Sequence, residues 1–213
     1  MFNMSRRLSR QSDRRAVITF GDPNGIGPEV AVRAAMSNCW PSRYKRILVG
    51  DRATADRVCD LIGLSPLPPF RPDQDDSFPC TLWDPGTPAY SLDPGQIRPD
   101  AARASLAWLD AAVEGVLGGW FDALVTGPIS KEGWKQAGVR HPGHTERLSE
   151  LTGARRYGML LVGGGLRVAL VTRHIPLARV PSALSRENIV ETAELLWEAL
   201  DWLGVRKKTI AIC

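Results

Sequence analysis

The segment Leu124-Val125-Thr126-Gly127-Pro128-Ile129-Ser130-Lys131 decides the fold class of this 213-residue chain. In it an apolar strand runs directly into a Gly-Pro turn that carries a serine and a lysine. Polar loops at the carboxyl ends of parallel strands form the ligand sites of α/β proteins. The three histidines of the chain all follow this segment within residues 124–176: His141, His144 and His174. We therefore expect the functional site to be built from residues 124–176.

The rest of the chain alternates between strand and helix patterns. Short apolar runs predict strands at residues 16–20, 46–50, 81–83, 123–125 and 209–213, and the strand at 123–125 is expected to be buried. Periodic or capped segments predict helices at residues 28–38, 54–62, 100–117, 132–137, 145–151 and 186–203. Residues 157–162 and 166–172 flank three glycines and predict a hairpin. This alternation predicts an α/β fold with a largely parallel sheet.

The positive charge of the chain is local. The net charge is +4 at pH 7, and residues 1–15 hold five arginines against one acid, so the remainder is neutral. A neutral body argues against a nucleic-acid-binding fold, which spreads its basic residues over a folded face. We expect residues 1–15 to form a disordered basic tail. No apolar run reaches membrane-spanning length, so no membrane association is expected.

The four cysteines are scattered and form no C-x-x-C pair. This argues against a zinc knuckle or a dense disulfide framework and favours reduced thiols in a cytoplasmic protein. Behind the tail we predict two incomplete α/β domains, at residues 16–125 and 126–213. The last predicted strand, 209–213, is apolar on both faces and belongs inside a sheet. We therefore expect the fold to be truncated at the C-terminus.

The loop Gly21-Asp22-Pro23-Asn24-Gly25-Ile26-Gly27 lies between a predicted strand and a predicted helix. It is not the dinucleotide fingerprint, because the third glycine of G-x-G-x-x-G would fall on Val30. A tight turn with proline at the helix start accounts for the pattern. The functional alternative is that Asp22 or free N–H groups face a cleft.

Lys131 and the histidines leave several interpretations open. Lys131 is either a binding group for an anionic substrate or a surface residue beside a structural turn. Three histidines within 34 positions raise the hypothesis of a His₃ metal site. However, Pro142-Gly143 separates His141 from His144, so the two do not share one helical face. His174, between a strand end and Ile175-Pro176, fits a ligand position or an ordinary loop.

Three blocks of sequence carry a resemblance to a known family. They are Gly21-Asp22-Pro23-Asn24-Gly25-Ile26-Gly27-Pro28-Glu29, then Thr126-Gly127-Pro128-Ile129-Ser130-Lys131 with Gly143-His144-Thr145-Glu146, and Arg167-Val168-Ala169-Leu170 with His174-Ile175-Pro176-Leu177. In order and spacing they resemble the 4-hydroxythreonine-4-phosphate dehydrogenase family of pyridoxal phosphate biosynthesis and its paralogues. The similarity covers about residues 15–213.

The resemblance implies an α/β fold like that of isocitrate and isopropylmalate dehydrogenases, with helices on both faces of the sheet. It also implies a homodimer that uses NAD and a divalent metal, with Zn, Mg and Co as the candidates. The family oxidises 4-phosphohydroxy-L-threonine by hydride transfer to NAD. Loss of carbon dioxide from the β-keto acid then gives 3-amino-2-oxopropyl phosphate, with the metal in a Lewis-acid role.

The family motifs assign roles to individual residues. His144 and Thr145 match substrate contacts, His174 matches a metal ligand, and Lys131 is a candidate for a further substrate contact. His141 has no family role. The resemblance assigns no catalytic or NAD-contacting residue.

The chain also departs from the family pattern. The family continues beyond the segment matching residues 209–213 and there supplies two more metal-binding histidines, so this chain is expected to be an inactive fragment of the enzyme. One alternative is a paralogue that acts on another phosphorylated hydroxy acid or on a cyclic diol. Others are a non-catalytic remnant and an acyl-phosphate transferase that needs no NAD.

Overall fold

The computed structural model describes residues 14–71 and 78–213. The chain divides into two compact units, the first ending at Thr152 and the second starting at Gly153. Residues 1–13 of the predicted tail lie outside the described residues, as do residues 72–77 of the Pro-rich stretch at residues 65–99. Arg14 and Arg15, which were assigned to the tail, instead open the first strand. Arg14 is held there by an ion pair with Asp122 at 3.0 Å, and the Arg15 N–H donates to the same carboxylate.

The first unit is built on a parallel sheet of four strands in the order β3-β2-β1-β4. The strands are β1 (Arg14–Thr19), β2 (Tyr44–Val49), β3 (Cys80–Trp83) and β4 (Ala123–Thr126). Thr19 pairs with both Val49 and Thr126, and Val49 pairs with Trp83. The carboxyl ends of all four strands therefore meet along one edge of the sheet.

Five helices connect and flank these strands. They are α1 (Gly27–Met36), α2 (Arg52–Ile62), α3 (Pro99–Leu117), α4 (Lys131–Gln136) and α5 (His144–Thr152). Helix α2 starts where the Asp51 side chain accepts from the Thr54 N–H, and it ends at left-handed Gly63. The prediction of an α/β fold with a parallel sheet flanked by helices is confirmed.

The core of the first unit lies between the sheet and its helices. Fully buried members include Val17, Ile47 and Leu48 of the strands, with Trp108 of α3 packed edge-on against Phe20. The Trp108 indole N–H donates to the Thr87 hydroxyl at 2.7 Å. The prediction that residues 123–125 are buried is wrong, because β4 is an edge strand and Val125 is 45% exposed.

The second unit contains the predicted hairpin and the long helix. Strands β5 (Met159–Gly163) and β6 (Leu166–Leu170) pair antiparallel across a glycine turn. A 3₁₀ turn (Leu177–Arg179) and the short helix α6 (Val180–Ala183) follow. Helix α7 (Arg186–Trp202) begins at a capping box, in which Ser185 and Asn188 exchange side-chain and backbone hydrogen bonds.

The strand predicted at residues 209–213 is wrong for this structure, since these residues have no regular secondary structure. A strand requires a hydrogen-bonded neighbour, and neither sheet in the described residues supplies one. The predicted domains divide after Val125, whereas the compact units divide after Thr152. The division into two domains stays a prediction. None of the helices in the described ranges combines the length and apolar character needed to span a bilayer.

Candidate functional site

Two loops meet at the carboxyl edge of the sheet, one after β1 and one after β4. The Gly127 N–H donates to the Thr19 carbonyl at 3.0 Å, and the Asp22 N–H donates to the Pro128 carbonyl at 2.9 Å. These two hydrogen bonds join the loops across the strand ends. The motif that follows β4 is therefore positioned by the backbone of the motif that follows β1.

Glycines make this approach of the two loops sterically feasible. A Cβ on Gly21 would lie 2.2 Å from the Pro128 oxygen. A Cβ on Gly127 would lie 2.5 Å from the Phe20 oxygen, and one on Gly27 would lie 2.1 Å from it. Real Cβ atoms do not approach backbone oxygens so closely, so the glycines of both motifs serve packing.

Asn24 connects the first loop to the Pro-rich segment. Its side-chain oxygen accepts from the Asp93 N–H at 2.7 Å, and its side-chain amide donates to the Ser91 carbonyl at 3.2 Å. Its own carbonyl accepts from the Gly95 N–H at 2.7 Å. Asn24 is 3% exposed, so these bonds satisfy a buried amide and hold the segment at the same edge of the sheet.

Asp22 is a buried carboxyl group at this edge. Burial raises its pKa above the ordinary value, although the hydrogen bond from the Asn24 N–H opposes the rise. Of the two sequence-based interpretations of this loop, the tight turn is observed directly, with Pro28 in the first turn of α1. The Asp22 carboxyl group, on which the functional alternative depends, lies beside this turn.

The residues after β4 start helix α4. Ser130 caps it, because its hydroxyl accepts from the Gly133 N–H at 2.9 Å. Lys131 is the first residue of α4 and is exposed. The cap fixes the direction in which the helix leaves the sheet, and so it places the lysine side chain next to the following loop.

Lys131, His144 and Glu146 gather around the buried Gly143. The position of a Cβ on Gly143 is 4.0 Å from the Lys131 Nζ and 3.7 Å from the Glu146 Oε2. Next in the chain, His144 is half-buried and begins α5. Burial lowers the pKa of His144, and the positive charge of Lys131 lowers it further.

This arrangement is suited to an anion. The Lys131 ammonium attracts an anion, and a neutral His144 imidazole can donate a hydrogen bond to it from one ring nitrogen. Thr145, half-buried, follows at the start of α5, where free N–H groups also favour negative charge. The first unit thus brings together three of the four predicted site residues: Lys131, His144 and Thr145.

His141 has a structural partner. Its Nε2 lies 2.9 Å from Glu150 Oε2, and the same carboxylate is contacted by Arg140 and Arg147. Arg147 in turn binds Asp110 of α3. Burial and the two arginines lower the pKa of His141. The histidine without a family role belongs to a network that ties α5 to α3.

His174 lies in the second unit, after β6, and is exposed. Its φ is +53°, which makes it the one non-glycine residue with a left-handed backbone in the described ranges. Such conformations cost energy in a residue with a Cβ, and they cluster at functional sites. This backbone is the structural observation that sets His174 apart from an ordinary loop histidine.

The donors of the described chain do not fit a complete metal centre. Within residues 14–71 and 78–213 no group of three or more histidine, cysteine or acidic side chains could hold a metal ion. His174 alone leaves most of a coordination shell to be filled. Nor does the loop at 21–27 form a dinucleotide cradle, because backbone atoms of the chain itself occupy the space beside Gly21 and Gly27.

A second polar cluster lies at the carboxyl ends of β2 and β3. A cavity of about 550 Å³ there is lined by Asp51, Thr87 and Tyr90 among others. The Tyr90 hydroxyl donates to Asp51 Oδ2 and lies at 2.5 Å from the Thr54 hydroxyl. Burial and Asp51 raise the pKa of Tyr90 well above its ordinary value, so the phenol stays protonated.

Sequence reasoning missed Trp134 and Ser105. Trp134 is fully buried beneath the Lys131–His144 site, and its ring centroid is 6.0 Å from that of His144. Its indole N–H donates to the Ser105 hydroxyl of α3. The sequence did offer one signal for Trp134, which is a tryptophan in a six-residue helix between two motif loops. So short a helix is unstable alone and needs a large buried side chain to hold it in place.

A protein-family profile described as pyridoxal phosphate biosynthetic protein PdxA matches residues 42–213. The chain belongs to this family. The curated 4-hydroxythreonine-4-phosphate dehydrogenase of Desulfosudis oleivorans is 37% identical over 191 residues, which are 86% of this chain and 55% of that protein. A protein of Bradyrhizobium diazoefficiens, named as a D-threonate 4-phosphate dehydrogenase, is 32% identical over 94% of this chain and 59% of its own length.

Solved structures of the family share the fold. A crystal structure of a 4-hydroxythreonine-4-phosphate dehydrogenase from Burkholderia phymatum superposes with a TM-score of 0.81 at 27% identity. The superposition covers 95% of this chain and 63% of that one. The chain thus spans between half and two thirds of the length of the relatives described here.

Proposed function

We propose that the protein to which this chain belongs is an NAD-dependent dehydrogenase of pyridoxal phosphate biosynthesis. Its substrate is 4-phosphohydroxy-L-threonine. The substrate loses a hydride to NAD and a proton at the oxidised hydroxyl. The resulting β-keto acid then loses carbon dioxide and takes up a proton at the same carbon, which gives 3-amino-2-oxopropyl phosphate. The observation that carries this proposal is the gathering of Lys131, His144 and Glu146 around Gly143 in a chain of this family.

The side chains of the first unit bind and orient the substrate. The Lys131 ammonium attracts an anionic group of the substrate, and a phosphate or a carboxylate suits it equally. His144 is held neutral by burial and by Lys131, so one ring nitrogen donates and the other accepts. The Thr145 hydroxyl adds a further hydrogen bond beside it. Side chains of the described residues are sufficient for all three roles.

The proposed reaction also uses a divalent metal and NAD, and this chain does not form a complete site for either. His174 would supply one imidazole of a divalent metal site, and its strained backbone supports that role. The other ligands and the NAD-binding residues would come from polypeptide beyond the stretch described here, so no step is derived through either group. A homodimer in the cytoplasm completes the proposal, with the family resemblance as its support.

The substrate assignment is tested with the complete protein and 4-phosphohydroxy-L-threonine, by following NADH formation. We expect His144→Gln to lower kcat/KM at least about tenfold, because a substrate hydrogen bond is worth on the order of 1.4 kcal/mol or more. His141→Gln is the matched control, since His141 bonds to Glu150 and not to substrate. Equal losses in the two variants would contradict the site.

The metal assignment is tested at His174 with two substitutions that tolerate its backbone. Glycine and asparagine both adopt the left-handed conformation easily, so His174→Gly and His174→Asn remove the imidazole without straining the fold. We expect both variants to lose metal-dependent turnover while keeping the melting temperature. Full metal-dependent activity in His174→Gly would remove His174 from the metal site.

A second candidate substrate is D-threonate 4-phosphate, which the name of the Bradyrhizobium diazoefficiens relative favours. It shares the phosphate with 4-phosphohydroxy-L-threonine but has a hydroxyl group in place of the amino group. Comparison of kcat/KM for the two compounds, measured on the complete protein, decides between them. A ratio of tenfold or more, on the order of one lost hydrogen bond, identifies the substrate.

A further inference from the structure

Trp134 is anchored from below by helix α3. It is fully buried in a cluster with three residues of that helix, Ala102, Leu109 and Val113. Its indole N–H donates to the Ser105 hydroxyl at 2.9 Å, and that hydroxyl donates to the Ala102 carbonyl at 2.8 Å. Close packing and a directed hydrogen bond together leave the ring one orientation.

The same ring supports His144 from the other side. The two ring planes are inclined at 65°, so the contact is of the edge type, with 6.0 Å between the centroids. The backbone that carries His144 is fixed separately, because Arg147 of α5 binds Asp110 of α3 at 2.5 Å. Helix α3 therefore holds both the histidine backbone and the ring against which its side chain rests.

We propose that Trp134 is a positioning residue, which, anchored on Ser105, sets the orientation of the His144 imidazole toward the substrate. This inference rests on the proposed function, in which His144 contacts substrate. It goes beyond the assigned site residues, since it gives a role to a side chain that the solvent does not reach and the substrate does not touch.

The proposal has a consequence for the protonation of His144. The indole covers one part of the imidazole and excludes water from it, which disfavours the charged ring. The charged group that acts on His144 is Lys131 of α4. Glu146 of the histidine's own helix lies nearby, with its Oε2 3.7 Å from the Cβ position of Gly143. If the indole is removed, water enters and the pKa of His144 moves back toward its ordinary value, whereas Lys131 and Glu146 are unchanged.

The first experiment follows the His144 imidazole by NMR during a pH titration of the chain. We expect Trp134→Leu to raise the pKa of His144 by about 0.5, as partial loss of burial predicts. Ser105→Ala should raise it less, and Trp134→Phe should keep it near the starting value because an aromatic edge remains. Val113→Ala, in the same cluster on α3, is the control and should leave the pKa unchanged.

The second experiment measures kcat/KM against pH for the complete protein. In Trp134→Leu the limb of the profile assigned to His144 should move upward with the NMR pKa, and kcat/KM should fall several-fold. Trp134→Phe should restore most of it. A merely structural tryptophan would lower the melting temperature without moving the pH profile.

Folded Trp134→Leu with an unchanged His144 pKa would overturn the proposal. If that variant does not fold, an unchanged pKa in Ser105→Ala together with an unchanged pH profile would do so. The NMR arm needs no turnover. If the complete protein does not oxidise the substrate, the proposed function fails, while the NMR arm still decides whether Trp134 positions His144.

Discussion

His144 is a half-buried imidazole, and both its burial and the charge of Lys131 favour its neutral form. Trp134 lies against the ring, and the Lys131 ammonium is near enough to lower the pKa further. A neutral ring at physiological pH both donates and accepts a hydrogen bond, which suits contact with a hydroxyl group. His141, three residues earlier, has a lowered pKa too, but its Nε2 is engaged by Glu150. Two histidines only three residues apart thus have different surroundings.

Removal of the Lys131 charge should raise the pKa of His144. Lys131→Met keeps the apolar length of the side chain and deletes the ammonium, so the Coulombic part of the lowering disappears. Lys135→Met on the same short helix is the matched control, because Lys135 is not among the groups that lower this pKa. NMR titration of His144 in both variants measures the effect. A shift in the control alone would refute the assignment.

The free energy of unfolding should decrease as the pH falls below about 6.5, the ordinary histidine pKa. The sign follows from the lowered pKa values of His141 and His144: the unfolded chain takes up protons at a higher pH than the folded chain. Acid therefore favours unfolding in this window. His144→Gln should flatten the dependence, as measured by urea unfolding between pH 7 and pH 5. An unchanged slope would contradict the burial of His144.

At the level of elements, hydrogen bonds between loops hold the carboxyl edge of the sheet together. Asn24 joins the β1–α1 loop to the segment around Asp93, and the Gly127 N–H joins the loop after β4 to β1. Because these hydrogen bonds are buried, each loop depends on the others for its position. The Pro-rich segment that looks irregular in the sequence is thus part of the site architecture.

Asn24→Ala should release the segment around Asp93. The Asp93 N–H loses its side-chain acceptor and should exchange with solvent faster, whereas the Gly95 N–H keeps the Asn24 backbone carbonyl and serves as an internal reference. Loss of a buried hydrogen-bonded amide should also cost about 1–3 kcal/mol of the free energy of unfolding. Hydrogen exchange by NMR measures the first effect. Equal protection of both amides in Asn24→Ala would show that the Asn24 side chain does not hold this segment in place.

Ser185 should stabilise α7 through its capping box. Ser185→Ala removes the acceptor for the Asn188 N–H and should cost about 1 kcal/mol of the free energy of unfolding, whereas Ser185→Gly should cost only a few tenths. Urea unfolding monitored by helical circular dichroism compares the two variants. A larger loss in the glycine variant would point to helix propensity, and not to the cap, as the source of the effect.

The pattern of elements was largely readable from the sequence, and its exceptions have a common physical cause. Apolar runs and glycine stops located the strands and helices, since these signals are local. The burial of β4 and the strand at 209–213 were predicted wrongly, because burial and pairing depend on neighbours that a local pattern does not show. The role of Trp134 was not predicted for the same reason, because its contacts with Ser105 and His144 join separate elements.

At the level of the whole chain, the two units differ in how much they bury. The first contains the sheet core with fully buried Val17, Leu48 and Trp108. In residues 153–213, all of which are described, Leu200 is the one buried hydrophobic side chain. Since apolar burial supplies most of the stability of a folded unit, the second unit of this chain should be the weaker one.

Amide hydrogen exchange of the 213-residue chain should resolve this difference. We expect amides of β1 and β2 to exchange by global unfolding and amides of α7 and the hairpin to exchange through local opening at least about 100-fold faster. Mass spectrometry of peptides from the two units provides the measurement. Uniform protection across residues 14–213 would mean that the two units unfold as one cooperative body.

The glycines at the strand ends have a consequence for how this protein can vary. At positions 21, 27 and 127 any side chain would collide with main-chain atoms, so no compensating change of a neighbouring side chain could accommodate it. Gly165, which has no atom within 4 Å of its Cβ position, is free of that restriction. In a library of random variants selected for folding, codons 21, 27 and 127 should continue to encode glycine, whereas codon 165 should accept other residues.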